Sequence, residues 1–581
     1  MASFHISKQL KLATDRGRAD KPGAWKVICG VLLLCAATSI VAPAQTFTTL
    51  AYLSETADNS KAALAQGIDG NLYGTTYDNN AIFRGSVFRI TTAGTLATLH
   101  TFDFTDGSNP TTELLLATDG DFYGTTSFYG ASGVWEAGTV FKITPGGKLT
   151  TLHSFCSQAN CTDGAGWPGA LVQGADGNFY GTTSSGGAYG YGTVFKISPY
   201  GRLVSLKSFC HQATCPDGVS PRAGLVAASD GSFYGITELG GTGLPSCWQS
   251  PSYYGCGTIF KITPKGLLTT LYSFCVQSGC PDGSSPSGRL IEATDENFYG
   301  TTGSGGAFGN GTVFKIAPGG KWTALYSFCS QTACTDGSNP QGGLTQATDG
   351  NLYGTTVGGG AYGYGTIFEI TTSGTLTTLH SFEYGDALPE ARPMQATDGN
   401  FYGTTWGLDF QSYGTVYSLS MGFGPFVSFI RDFNIVGAKA QILGQGFTGT
   451  SAVSFNGTPA TFTVIHDTYL SATVPAGATT GFVTVTTPSG TLTSNKIFRV
   501  TPQILSISPT SGPAGTSVVI TGESLTGADD VRLGYGEQMS FTVDSDTQIT
   551  AIVPAAATSG AISVHTPGGQ AKSATAFNVT P

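Results

Sequence analysis

Short stretches of alternating apolar and polar residues follow one another along most of the chain. They are clearest in LVQGADGNFYGTT (Leu171–Thr183) and GTVFKISPYGRLVSLKSF (Gly192–Phe209). Two apolar stretches flank Asp176-Gly177, a dipeptide that suits the positive φ angles of a tight hairpin. TVFKI supplies a third strand and, after a turn at residues 199–201, LVSLKSF supplies a fourth. The pattern predicts a unit of four short strands whose sheet packs against neighbouring sheets.

The same unit occurs seven times. Its marker is Tyr-Gly-Thr-Thr or a near copy, which begins at Tyr73, Tyr123, Tyr180, Tyr234, Tyr299, Tyr353 and Tyr402. A repeat of this kind cannot bury both faces of its own sheet and must stack against copies of itself. We therefore predict an all-β fold in which residues 45–422 form a closed seven-bladed β-propeller.

The first and last units complement each other. The seventh unit stops after its third strand, and an extra fourth strand, FTTLAYL (Phe47–Leu53), precedes the first complete unit. Pairing between them would cover two exposed strand edges and tie the ends of the ring together. We expect the N-terminal strand to complete the seventh blade.

The segments DGNFYGTT and GTVFKIS resemble the GloVer repeat, a tandem unit named for Gloeobacter and Verrucomicrobia and found in bacterial exported proteins. The resemblance covers Gln45 to about Gly422. It implies no activity that can be transferred to a residue of this chain, because propellers serve as enzymes, lectins and scaffolds alike.

Two units of a different type follow. ILGQGF, VSFNG and LSATVPAGATTGFVTVTTPSG of the first return in the second as ITGESL, VRLGY and ITAIVPAAATSGAISVHTPGG. Their short strands between Gly and Pro turns predict two small β-sandwiches, residues 423–501 and 502–581. They resemble IPT/TIG domains, which are immunoglobulin-like modules. SPTSGPAGTSVVITG (Ser508–Gly522) carries the resemblance in the second unit, and the first unit departs from it at this point.

The N-terminal segment predicts export. Six basic residues precede an apolar run from Val27 to Ala42, and Ala42-Pro43-Ala44 places small residues where a signal peptidase cleaves. We expect residues 1–44 to be a signal peptide. The alternative is an uncleaved membrane anchor, for which the apolar run is short. The mature protein would then be extracellular, at the cell surface or periplasmic, with no membrane span.

The net charge of the chain without residues 1–44 indicates which kinds of partner it can bind. Removal of residues 1–44 takes away six basic and two acidic side chains and leaves 21 basic against 35 acidic, a formal charge of −14. This acidity argues against nucleic acid as a partner, since a phosphate backbone is bound by basic patches. An extracellular polysaccharide or a surface protein is the expected partner.

Ten cysteines outside the N-terminal segment fall into five local pairs. In an oxidising compartment such pairs are typical of disulfides that fix loops. The predicted pairs are Cys156–Cys161, Cys210–Cys215, Cys247–Cys256, Cys275–Cys280 and Cys329–Cys334. Zinc binding is the alternative, but the units lack a matching set of histidines. We therefore expect neither a metal nor a cofactor.

Loop lengths distinguish the two faces of the predicted propeller. The first-to-second and third-to-fourth turns of each unit are short and lie on what we call the short-turn face. The second-to-third loops and the connections between units form the opposite, long-loop face, and they are glycine-rich and aromatic. Loops on a rigid scaffold often carry binding residues. The candidate binding residues there are Trp135, Trp167, Tyr189, Tyr191, Trp248, Tyr253, Tyr254, Tyr362, Tyr364 and Trp406.

These rings could stack on sugars, or they could pack loop against loop around the disulfides. Trp248 is the preferred single candidate because its loop is an insertion that breaks the repeat. The acidic residues offer no convincing catalytic pair, and the aspartates repeated in Asp-Gly turns are expected to cap those turns. No catalytic residue is assigned.

The sequence therefore favours an exported, non-catalytic binding protein that recognises carbohydrate through the long-loop face. One alternative is a protein–protein or matrix adhesion scaffold at the cell surface. The other is a polysaccharide hydrolase or lyase.

Overall fold

The computed structural model describes residues 45–53, 59–77, 84–212, 214–243, 255–407, 413–534 and 536–581. These residues form strands β1 to β49, numbered along the chain, and short 3-10 helices at Ala159–Cys161, Thr332–Cys334 and Tyr384–Asp386. No α-helix occurs in these ranges, so the expected all-β fold is confirmed for them. Across the same ranges the structure has no helix of the length and apolarity that crossing a membrane requires.

Residues 46–420 form seven antiparallel sheets. The N-terminal strand β1 is Thr46–Tyr52. Sheet 1 contains β2 Ala65–Gln66, β3 Leu72–Thr76, β4 Ser86–Ile90 and β5 Leu96–Thr101. Sheet 2 contains β6 Leu115–Leu116, β7 Phe122–Thr126, β8 Thr139–Ile143 and β9 Leu149–Ser154. Sheet 3 contains β10 Ala165–Pro168, β11 Val172–Gln173, β12 Phe179–Ser185, β13 Thr193–Ile197 and β14 Leu203–Ser208.

The next four sheets repeat this order. Sheet 4 contains β15 Val226–Ala227, β16 Phe233–Thr237, β17 Thr258–Ile262 and β18 Leu268–Ser273. Sheet 5 contains β19 Ser284–Pro286, β20 Ile291–Glu292, β21 Phe298–Ser304, β22 Thr312–Ile316 and β23 Trp322–Ser327. Sheet 6 contains β24 Thr345–Gln346, β25 Leu352–Thr356, β26 Thr366–Ile370 and β27 Leu376–Ser381. Sheet 7 contains β28 Met394–Gln395, β29 Phe401–Thr404 and β30 Thr415–Ser420, with β1 as its fourth strand.

Strand β1 runs antiparallel to β30. Thr46 lies opposite Ser420, and Tyr52 lies opposite Thr415. The seventh sheet therefore takes its outer strand from the N-terminus, more than 360 residues earlier in the chain.

Each sheet packs against the next through the tyrosine of the Tyr-Gly-Thr-Thr marker. Tyr180, for example, stacks on Phe233 of the following sheet with ring centroids 4.1 Å apart. The series continues from the seventh sheet to the first, where Tyr402 and Leu72 share one buried cluster. The glycine after the tyrosine is required by close packing, because a Cβ on Gly181 would lie 2.6 Å from the ring of Phe195.

The two C-terminal units share one strand order. The first contains β31 Ser428–Phe429, β32 Phe433–Asn434, β33 Lys439–Leu443, β34 Ala452–Phe455, β35 Thr458–Pro459, β36 Phe462–His466, β37 Tyr469–Thr473, β38 Val483–Thr487, β39 Gly490–Thr493 and β40 Arg499–Val500. The second contains β41 Gln503–Ser508, β42 Ser511–Gly512, β43 Ser517–Glu523, β44 Asp530–Leu533, β45 Glu537–Gln538, β46 Ser540–Ser545, β47 Gln548–Ile552, β48 Gly560–Thr566 and β49 Gly569–Val579. The sheet β31-β33-β37-β36 corresponds to β41-β43-β47-β46. Each unit encloses its own apolar core.

The first of these units, residues 423–501, lies against the short-turn face. Its side chains donate hydrogen bonds to backbone carbonyls in the short turns of sheets 1, 2 and 3. The contacts are Thr468 Oγ1 to Ile68 O at 2.7 Å, Gln441 Nε2 to Thr118 O at 2.8 Å, and Arg431 Nη2 to Ala175 O at 2.6 Å. This part of the short-turn face is therefore covered by protein.

Candidate functional site

One repeat position distinguishes three of the seven sheets. It lies ten residues before the marker tyrosine, and two residues before the short strand that pairs with the marker strand. The seven residues there are Ala63, Glu113, Ala170, Gly224, Arg289, Gly343 and Arg392. Four are small, whereas sheets 2, 5 and 7 carry one acid and two bases. These three residues were not among the sequence candidates, although an alignment of the seven units contains this departure from the repeat.

The structure brings these three charges together. Arg392 Nη2 donates to Glu113 Oε2 at 2.7 Å, and Arg289 Nη1 donates to the other carboxylate oxygen, Oε1. Arg392 also donates from Nη1 to Thr345 Oγ1 at 2.8 Å. Burial raises the pKa of the Glu113 carboxyl, but the guanidinium groups of Arg392 and Arg289 outweigh it and hold the pKa at about 2. Glu113 is therefore ionised at neutral pH.

The three charges border a cavity of about 250 Å³. Its walls include Leu64, Leu114 and Leu171, which directly precede β2, β6 and β11. Phe429 and Leu443 of the first C-terminal unit line it as well. Glu113, Arg289 and Arg392 are the charged members of the lining that the structure describes. The cavity therefore has a formal charge of +1 in a chain whose overall charge is −10.

The predicted aromatic residues of sheets 2 and 3 meet on the long-loop face. The rings of Trp135 and Trp167 lie 4.9 Å and 5.2 Å from the ring of Phe128, and Tyr129 contacts Trp135 edge to face. Arg222 lies over Trp167 at 5.8 Å. The rings of this cluster pack on one another, which fits loop-to-loop packing. Trp135 is nevertheless 44 % exposed, which leaves part of its ring open to a ligand.

The remaining tyrosine candidates divide into exposed and packed pairs. Tyr189 and Tyr362 are 44 % and 57 % exposed. Two residues later, Tyr191 packs against the Cys210–Cys215 loop and Tyr364 packs in the core beside sheet 7. The first of each pair is therefore available to a ligand, and the second is placed to support the loop.

Trp406 is half-buried and lies two residues after β29 of sheet 7. Lys61 Nζ lies 4.1 Å from its ring and 3.2 Å from Glu390. Trp248, Tyr253 and Tyr254 lie outside the described residues, so the preferred single candidate has no structural account.

Four disulfides have both cysteines within the described residues. They join Cys156 to Cys161, Cys210 to Cys215, Cys275 to Cys280 and Cys329 to Cys334. Cys247 of the fifth predicted pair lies outside the described residues. The sulfur of Cys256 lies within 4.8 Å of those of Cys275 and Cys280. A disulfide leaves no thiolate to bind a metal, so this group of sulfurs does not fit a zinc site.

The repeated aspartates hold turns, as their place in Asp-Gly turns predicts. Asp163 accepts hydrogen bonds from the backbone and hydroxyl of Ser157 and contacts His153 at 3.0 Å. Asp336 takes the equivalent place with Ser330 and Tyr326. Such aspartates have their oxygens occupied by the loop itself.

Glu292 also has a structural partner. Its carboxylate accepts two bonds from the backbone N–H of Ser229 and one from the Ser229 hydroxyl. In sheets 6 and 7 the same repeat position is occupied by Gln346 and Gln395, each of which accepts from the preceding sheet in the same way. Burial raises the pKa of Glu292, but its geometry is that of a link between sheets.

A larger groove of about 630 Å³ lies at the outer edge of sheets 3 and 4. Lys207, His211, Asp217 and Val276 line part of it. Lys207 is already paired with Asp217 at 2.8 Å, and His211 contacts the ring of Tyr189. The groove therefore adjoins the exposed aromatic position of sheet 3.

Two family models match the chain. The Gloeobacter/Verrucomicrobia repeat matches residues 37–248 and 246–464, and the IPT/TIG domain matches residues 502–579. No curated protein matches the chain.

Several solved structures are distantly similar. A fungal alcohol oxidase of the AA5 family in complex with copper is 12 % identical, with 92 % of this chain and 99 % of that chain covered and a TM-score of 0.41. A gluconolactonase from Xanthomonas campestris is 12 % identical, with 65 % and 90 % covered and a TM-score of 0.34. At these scores neither similarity carries an argument about the activity of this chain.

Proposed function

The chain belongs to the Gloeobacter/Verrucomicrobia repeat family, and from this premise we propose that it is an exported binding protein whose long-loop face recognises carbohydrate. The IPT/TIG domain at residues 502–579 fits a surface or binding protein. In this proposal residues 1–44, which lie outside the described residues, are a signal peptide. Residues 45–422 form a seven-bladed propeller, and residues 423–501 and 502–581 form two sandwiches. The packing of the seventh sheet against the first supports the closed arrangement.

One observation carries the carbohydrate proposal. The residue three positions before the glycine of each Gly-Thr-Val-Phe or Gly-Thr-Ile-Phe segment is an exposed aromatic in sheets 2, 3, 5 and 6. These residues are Trp135, Tyr189, Phe308 and Tyr362, with exposed fractions of 44 %, 44 %, 53 % and 57 %. Phe308 completes the set and was not among the sequence candidates. Its signal is the alignment of GGAFGNG with GGAYGYG.

Exposed aromatic rings at equivalent loop positions fit a repetitive ligand. A ring presents a flat apolar surface and loses little conformational entropy when it is bound, so it suits stacking on a sugar. Several weak contacts on one rigid scaffold also raise the avidity for a chain that offers the same unit repeatedly. A polysaccharide has this property, whereas a single free sugar does not.

The test is binding of purified residues 45–581 to a panel of soluble and insoluble polysaccharides, with each supernatant assayed for released sugar. Replacement of Trp135, Tyr189, Phe308 and Tyr362 by alanine is expected to weaken binding by more than about tenfold. The matched control is Tyr200→Ala, which removes a 95 % exposed ring from the short-turn face and is expected to leave binding unchanged.

Each outcome separates one function from the others. Saturable binding without sugar release, lost in the fourfold variant and kept in the control, supports the proposal. Release of sugar would replace it with a hydrolase or lyase. Absence of binding to every polysaccharide would contradict carbohydrate recognition and favour the adhesion scaffold.

A further inference from the structure

The cavity beside Glu113 holds an uneven set of charges. Glu113 accepts from both Arg289 and Arg392, so one carboxylate neutralises one of two guanidinium groups. The side chains of the two arginines are 23 % and 22 % exposed. A desolvated charge without a partner is costly in a protein interior. An anion in the cavity would neutralise the second arginine.

Both arginines have the donors that such an anion needs. A guanidinium group has five N–H donors in a planar fork that matches the two oxygens of a carboxylate. Arg289 donates from one Nη to Glu113, and Arg392 donates from one Nη to Glu113 and from the other to Thr345. Both arginines line the cavity, and each has N–H donors beyond those used in these bonds.

One side of the cavity is covered by the first sandwich. The first sandwich places Ser428, Phe429, Ile430 and Leu443 in the cavity lining at the short-turn face. Glu390, which is two residues before Arg392 in the chain, is paired with Lys61 at 3.2 Å.

We propose that this cavity binds a small organic carboxylate, whose anionic group lies against Arg289 and Arg392 beside Glu113. Its volume of about 250 Å³ lies just below the roughly 300–1,000 Å³ of pockets that bind small molecules, which limits the ligand to about the size of one sugar ring. The site is distinct from the exposed aromatic loops and does not rest on the proposed function.

Three probes of one shape and different charge test the proposal. They are D-glucuronate, D-glucose and D-glucosamine, titrated calorimetrically into residues 45–581 in a chloride-free buffer. Glucuronate is expected to bind, glucose at least tenfold more weakly, and glucosamine more weakly still. Equal affinity for all three, or a preference for the cation, would overturn the proposal.

Two substitutions in the cavity lining, with opposite expected effects on glucuronate affinity, test whether binding occurs there. Glu113→Gln removes the internal competitor and is expected to raise glucuronate affinity about tenfold, whereas Arg392→Met is expected to lower it about tenfold. A purely structural role for the cluster predicts no gain in affinity for Glu113→Gln. Asp530→Asn, which removes a carboxylate paired with Arg532 in the second sandwich, is the control and should bind as the wild type does.

Thermal unfolding with and without ligand tests the site even if Glu113→Gln is less stable than the wild type. Glucuronate binds only the folded protein in this scheme, so it should raise the Tm of Glu113→Gln more than that of the wild type. Glucose should raise neither. A Tm of Glu113→Gln that responds equally to glucose and glucuronate would contradict the site. Loss of polysaccharide binding by the aromatic variant would not affect these results, so the two proposals can fail separately.

Discussion

Arg392 of the seventh sheet donates a hydrogen bond of 2.7 Å to Glu113 of the second sheet, 279 residues earlier in the chain. Arg289 of the fifth sheet donates to the same carboxylate. The carboxylate of Glu113 thus links three sheets that are not neighbours, at positions just before one strand of each sheet. This link acts across the sheets, in addition to the packing of each sheet on its neighbour.

The first prediction concerns stability and pH. Glu113→Gln should destabilise the protein by about 2 kcal/mol at neutral pH, because it leaves two arginines facing a neutral group. The folded pKa of Glu113 is lowered from 4.5 to about 2, so its contribution is present above pH 4.5 and disappears as the pH falls toward 2. Urea unfolding of both proteins across this range should show the difference shrinking. A difference that grows on acidification would contradict the ion cluster.

The second prediction concerns the marker tyrosines. Tyr180 donates to Asp176 at 2.9 Å, and Lys196 contacts the same aspartate at 2.6 Å. Tyr180→Phe should cost about 1 kcal/mol, the usual net value of one hydrogen bond. Burial, followed by the bond to Asp176, raises the pKa of Tyr180 to about 12. The stabilisation is therefore complete below pH 10 and is lost as the pH rises toward 12.

Base titration followed by circular dichroism checks this prediction. Between pH 10 and 12 the free energy of unfolding should fall less for Tyr180→Phe than for the wild type. Tyr200→Phe is the matched control, because Tyr200 is 95 % exposed and should leave the titration unchanged. An unchanged titration in Tyr180→Phe as well would show that the phenol does not contribute.

The third prediction concerns the N-terminal strand. Phe47 stacks on His380 of the sixth sheet with ring centroids 3.7 Å apart. It also contacts Phe382, which directly follows β27 of the sixth sheet, and Tyr417 of the seventh. Phe47→Ala should destabilise the protein by about 2 kcal/mol, less than a fully buried phenylalanine would, because Phe47 is half-buried. Thr48→Ala, on the exposed side of the same strand, should change stability little.

Aggregation provides a second measurement of the same strand. Weakening β1 would expose the edge of β30, and unpaired edges template association between chains. Light scattering on warming should therefore rise earlier for Phe47→Ala than for Thr48→Ala. Equal scattering and equal stability for the two variants would show that the N-terminal strand is not a structural part of the seventh sheet.

Local features were readable in the sequence because they repeat. The strands of each unit follow from alternating apolar residues and Asp-Gly turns, and the strand at Phe47 follows from the missing fourth strand of the last unit. The Arg392–Glu113 bond depends on which inner strands meet, and no local pattern encodes that. The hydrogen bond from Gln441 to Thr118 could not be predicted from the sequence either, because its acceptor is a backbone carbonyl, which every residue has.

The fourth prediction concerns the disulfide loops. Replacing Cys329 and Cys334 together by serine removes a cross-link that closes a six-residue loop, for which chain entropy gives about 2 kcal/mol at most. Asp336 remains buried beneath the loop and accepts from Ser330 and Tyr326, so the fold should persist. Chemical denaturation should show a small loss of stability, and hydrogen exchange should rise mainly between residues 329 and 337. Global unfolding of the double variant would instead show that the disulfide supports the sheets themselves, and not only the loop that joins the fifth sheet to the sixth.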